Sequence, residues 1–181
     1  GNQVRLFGER IQTPDESVFQ VDNTSEQYFN SPYYLAHINN VQPVPPGGSS
    51  VIQLGEIIGQ AGIDSINKTG RIIFHSVGDT GAAKTSGPVT EARVADMMVK
   101  DFDTPVVGDR PSFFFHLGDV IYYFGEQQYY YDQFYEPFRM YNAPIFAIPG
   151  NHDGVIYEAS AKSLDAFINN FCTPAPLHSA N

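Results

Sequence analysis

One pattern, used three times, constrains this chain more than any other feature: an apolar run that stops at Gly and a polar side chain. It occurs at Arg71-Ile72-Ile73-Phe74-His75-Ser76-Val77-Gly78-Asp79, at Phe113-Phe114-Phe115-His116-Leu117-Gly118-Asp119-Val120-Ile121-Tyr122, and at Pro144-Ile145-Phe146-Ala147-Ile148-Pro149-Gly150-Asn151-His152. Short runs of β-branched and aromatic residues bounded by Gly predict buried strands, here over 71–77, 112–117 and 145–148. Between them the apolar spacing becomes helical. Val94, Ala95, Met98 and Phe102 mark one face of a helix expected over 89–102. The Tyr- and Phe-rich stretch 126–141 predicts an amphipathic helix bent at Pro137, and Leu164, Phe167, Ile168 and Phe171 predict a helix over 161–171. The order β-α-β-α-β-α defines an α/β class, with parallel strands, right-handed crossovers and helices covering the sheet.

The chain ahead of this region reads differently. Residues 1–50 carry Pro14, Pro32, Pro43, Pro45 and Pro46, then Gly47-Gly48-Ser49-Ser50, and predict an irregular extension ending in a linker. Tyr28, Phe29, Tyr33, Tyr34 and Leu35 could tack it to a core. The expected folded unit is 51–181. It opens with a short helix over 51–66, interrupted at Gly59 and Gly62, and a turn at Asn67-Lys68-Thr69-Gly70.

Composition narrows the function. Hydrophobic residues make up 42% and charged residues 17%, which is globular rather than disordered. The net charge of −10 repels nucleic acid and anionic membrane surfaces, so neither is an expected partner. A small phosphorylated substrate stays open if cations dominate the local field. No stretch approaches the roughly 20 apolar residues of a membrane span. The single cysteine, Cys172, excludes an internal disulfide and a Cys-based zinc site, and is expected as a small buried hydrophobe near a helix end. His75 and His116 fall within predicted strands and are expected as hydrogen-bonded core histidines, whereas His37 and His178 lie in loop-like segments.

Parallel strands that each end in Gly plus a polar residue gather Asp79, Asp119 and Asn151 at one sheet edge, where open α/β sheets place their ligands. The intervals between them, roughly 40 and 30 residues, each match one βαβ unit. Two carboxylates and an amide oxygen, with no basic neighbour in sequence, are hard donors suited to a cation. His152, beside Asn151, stands where it could give a proton to a bound substrate.

These blocks resemble the calcineurin-like metallophosphoesterases, in the motif style of the purple acid phosphatases. Gly78-Asp79-Thr80-Gly81 looks like the first block, with Gly81 where other branches carry His. Gly118-Asp119-Val120-Ile121-Tyr122 looks like the second and Gly150-Asn151-His152-Asp153 like the third. The resemblance implies hydrolysis of phosphate mono- or diesters by a metal-bound hydroxide at a dinuclear centre. In it Asp119 bridges two metals, Asp79 and Tyr122 hold the first, Asn151 holds the second, and His152 stabilises the transition state or protonates the leaving group. A phenolate ligand implies iron at the first position, with zinc, manganese or iron at the second. The family pattern continues with Val-x-x-His and Gly-His-x-His blocks that this chain, ending at Asn181, does not contain. The resemblance thus implies the N-terminal half of a two-sheet sandwich: a fragment with weak metal binding, little activity and an apolar sheet face that drives self-association. Two alternatives stand beside it. One is a non-catalytic binding module that keeps the fold. The other is a phosphotransferase with Asp79 as nucleophile, for which Thr80-Gly81 offers no Asp-x-Asp start.

Overall fold

The computed structural model describes residues 51–81, 87–122, 124–155 and 162–172. The expected extension over 1–50, the small-residue loop over 82–86, Tyr123, His37, His178 and the Pro-rich tail lie outside the described residues.

Three short strands, β1 (His75–Val77), β2 (Phe114–His116) and β3 (Ile145–Ala147), form a parallel sheet in the order β1-β2-β3. Phe114 stands between His75 and Ile145, and His116 between Val77 and Ala147. The ladder is narrower than the apolar runs, although Ser112 already donates its N–H to the Ile73 carbonyl at 2.8 Å. The α/β expectation is met by this sheet and, among the described residues, by four helices: α1 (Leu54–Thr69), α2 (Gly87–Lys100), α3 (Asn151–Gly154) and α4 (Asp165–Phe171). No helix among the described residues is long and apolar enough to cross a membrane.

Alternation sorts the strand side chains to two faces. Phe114, His116 and Ile145 point into a core closed by Met98 of α2, by Phe134 and Phe138, and by Phe167 of α4. The opposite face carries stacked aromatic pairs, Phe74 on Phe113 and Phe115 on Phe146, with ring centroids 4.8 and 4.9 Å apart. That face is only partly covered. Phe74 is 45%, Leu117 49% and Ile148 47% exposed.

Several expectations are corrected. The helix α1 breaks only at Gly59, whose φ of 69° leaves the helical region, and continues through Gly62. The stretch 126–141 is not one helix. A 3₁₀ turn (Gln127–Tyr129) leads into a π-helical turn (Tyr131–Tyr135), in which the Glu136 N–H reaches the Tyr131 carbonyl at 2.9 Å. Pro137 has no N–H for the Gln133 carbonyl, so an α-helical ladder cannot run through this point. The last helix starts at Asp165 rather than 161, because Leu164 takes a left-handed φ of 62°. Cys172 is exposed, not buried: Phe171 ends α4 against Phe134 and Phe167, and the next residue turns to solvent. His75 is half-buried and bonds Tyr141 and Asp101, each at 2.9 Å, while His116 is fully buried.

Candidate metal centre

All three Gly-containing loops leave the sheet at its C-terminal edge. Two of them begin with an aspartate in the left-handed region, Asp79 at φ 54° and Asp119 at φ 53°. Asp is one of the few residues that tolerates this backbone, and the cost is offset only where neighbours lock it in place. Here the neighbours do. The Asp79 N–H donates to the Gly118 carbonyl at 3.0 Å, and the Gly81 N–H to the Asp119 carbonyl at 3.2 Å.

Side chains reinforce the lock. His116 accepts the Gly118 N–H on Nδ1 at 3.2 Å, which leaves its proton on Nε2 to donate to Thr80 Oγ1 at 2.7 Å. Burial pushes the imidazole down to about 4, against the pull of Asp79, so it stays neutral. Asp153, almost fully buried, accepts the Val120 and Gly150 N–H groups at 3.0 and 2.8 Å and the Ile121 N–H at 3.3 Å. Burial outweighs those donors and, with the charge of Asp119, raises its carboxyl to about 6. Asp153 thereby clips the β2 loop to the β3 loop.

The predicted residues meet as follows. The Tyr122 hydroxyl lies 2.5 Å from Asp79 Oδ1 and 3.3 Å from Asp119 Oδ2. The other Asp119 oxygen accepts the His152 N–H at 2.9 Å. The His152 ring packs on the Tyr122 ring, with centroids 4.3 Å apart. Asn151 opens α3 and is exposed. Burial, then the hydrogen bond to Asp79 and the charge of Asp119, hold the Tyr122 phenol well above its ordinary range. Gly81 makes room for that ring, since a Cβ there would lie 2.6 Å from the Tyr122 nitrogen.

Among the described residues no three His, Cys, Asp or Glu side chains cluster as a ready-made metal site. The oxygens that converge are two carboxylates and a phenol. No cationic side chain among the described residues pairs with Asp79 or Asp119. Hard oxygen donors of this kind fit one hard cation.

Gln133 and Asp153 were not singled out from sequence. Asp153 sits in the quoted Gly150-Asn151-His152-Asp153 block, and its place there was the available signal. For Gln133 the only hint was an uncharged polar residue inside a run of aromatics.

Fold and site together define an α/β protein with an acidic, oxygen-rich cluster at the C-terminal ends of parallel strands. The family model described as calcineurin-like phosphoesterase matches residues 74–180, more than half of the chain, and the chain belongs to that family. It is a family of hydrolases whose members bind metal ions. No curated protein and no solved structure matches the chain.

Proposed function

We propose that this chain carries the cation-binding part of a metal-dependent phosphate ester hydrolase of the purple acid phosphatase style. The observation that supports this most is the meeting of Asp79 Oδ1, Tyr122 Oη and Asp119 Oδ2. In this reading Asp79, Tyr122 and Asp119 hold iron. Asp119 and Asn151 hold a second ion, zinc, manganese or iron. Bound cations would supply an acidified water and positive charge against the phosphoryl oxygens. His152, braced on the Tyr122 ring and anchored through its N–H to Asp119, would protonate the leaving oxygen. The substrate class is a small phosphorylated molecule, which the −10 chain would otherwise repel.

The test is hydrolysis of p-nitrophenyl phosphate with and without added ferric iron and manganese or zinc. Turnover is expected to depend on the added ions. What turnover there is should vanish with a chelator and in Asp119→Ala. Activity indifferent to both would overturn the proposal. A second reading is a binding module that takes up phosphate in a metal-dependent way without cleaving its esters. Metal-dependent phosphate binding with no turnover would select it.

A further inference from the structure

We propose that Gln133 is the positioning residue for Tyr122: its side-chain amide grips the Tyr122 peptide on both sides and so aims the phenol at Asp79 and Asp119. Gln133 Oε1 accepts the Tyr122 N–H at 2.8 Å, and Gln133 Nε2 donates to the Tyr122 carbonyl at 2.8 Å. A backbone N–H can only donate and a carbonyl can only accept, so this pairing admits one orientation of the amide. It fixes both dihedral angles of Tyr122, as a strand partner would.

The geometry is unusual for its sequence context. Gln133 is 3% exposed and sits beside Asp132 in a Tyr- and Phe-rich run. The π-helical turn buries Asp132, Gln133 and Phe134 in succession, which a single face of an α-helix would not do. Widened turns of this kind recur at functional sites. Its other side is held as well, since Tyr135 Oη donates to Asn170 of α4 at 2.6 Å. Tyr122 is therefore fixed at its peptide by Gln133. Its ring is fixed by the bare Gly81 and by His152, which leaves the hydroxyl to face the two carboxylates.

The inference rests on the cation site proposed above. The experiment titrates the chain with ferric iron supplied as its nitrilotriacetate complex. It follows iron affinity and the visible phenolate-to-iron charge-transfer band, which reports the Tyr122 oxygen directly. Gln133→Leu keeps the bulk and loses both bonds, while Gln133→Glu keeps the acceptor for the Tyr122 N–H. Affinity is expected to fall in the order wild type, Gln133→Glu, Gln133→Leu. The Leu variant should be at least ~10-fold weaker, the usual scale for losing a partner that orients a ligand, with its band shifted or weakened. A folded Gln133→Leu with band and affinity within about twofold of wild type would overturn the inference alone. No iron binding by the wild-type chain would overturn the cation site and the inference with it. If Gln133→Leu does not fold, hydrogen exchange in the metal-free wild type decides: the Tyr122 amide should exchange roughly 100-fold more slowly than an exposed amide. Exchange at the exposed rate would overturn the grip.

Discussion

Asp119 Oδ1 accepts the backbone N–H of His152 at 2.9 Å. It does the work that an N-cap side chain does in most helices. Gly150, the N-cap of α3, has no side chain, and the Asp119 carboxylate from the neighbouring loop fills its place. A Cβ at Gly150 would lie 2.7 Å from Asp119 Cγ. One carboxylate thus satisfies an orphan donor at a helix start and places its second oxygen beside Tyr122.

From this relationship Gly150→Ala is expected to push the Asp119 carboxylate out of position. Overpacking of this kind costs about 1–3 kcal/mol. Thermal unfolding should show that loss, and ferric iron affinity should drop by more than ~10-fold. Unchanged iron affinity would separate the cap from the cation site.

Asp119→Asn should behave differently. Its amide oxygen can still accept the His152 N–H, and the change removes a negative charge near Asp153. Stability is expected to stay within about 1 kcal/mol of wild type in the metal-free chain. Iron binding should be lost. Denaturant unfolding together with iron titration measures the two separately.

Gly81→Ala places a methyl group against the Tyr122 ring and nitrogen. The ring has to move, so the charge-transfer band of the iron-loaded chain is expected to weaken or shift. Far-UV circular dichroism should change little, because residue 81 lies beyond β1 and outside any helix. An unaltered band in the folded variant would mean that the ring does not use the space Gly81 leaves.

Glu91 on α2 is 6% exposed, and neither carboxyl oxygen has a hydrogen-bond partner among the described residues. Burial pushes it up to about 9. The folded chain therefore keeps this proton where the unfolded chain has lost it. Its contribution to stability is complete below about 4.5 and declines as pH rises toward about 9. At pH 7 the loss is about 3 kcal/mol. Glu91→Gln should flatten that decline, raising the unfolding midpoint at pH 8 more than at pH 4. Parallel pH profiles for the two proteins would refute the assignment.

The partly covered sheet face, with Phe74, Leu117 and Ile148 each near half exposed, is expected to drive self-association. The unpaired edges of β1 and β3 add to this, since each bonds only β2 among the described residues. Sedimentation velocity should show a dimer or larger species whose share falls in a Phe74→Lys, Ile148→Lys double variant. A monomer at all concentrations, without binding of an apolar-surface dye, would count against it.

Much of this molecule could be read before its structure. Three apolar runs ending in Gly named the strands, and the helical spacing between them required parallel crossovers, whereas the order β1-β2-β3 came from the structure. The same pattern put Asp79, Asp119 and Asn151 at one edge of the sheet. Local pattern failed where distant residues set the backbone. The region 126–141 has the composition of a helix, yet a 3₁₀ turn and a π-helical turn form there, because Pro137 removes a donor and Gln133 is drawn to the peptide of Tyr122. The left-handed Asp79 and Asp119, the buried clip of Asp153 and the His116–Thr80 bond have no periodic signature at all. Each depends on a hydrogen bond between segments far apart in the chain. Side-chain periodicity reports which face of an element is buried; it does not report which unpaired backbone group lies across from it once the elements pack.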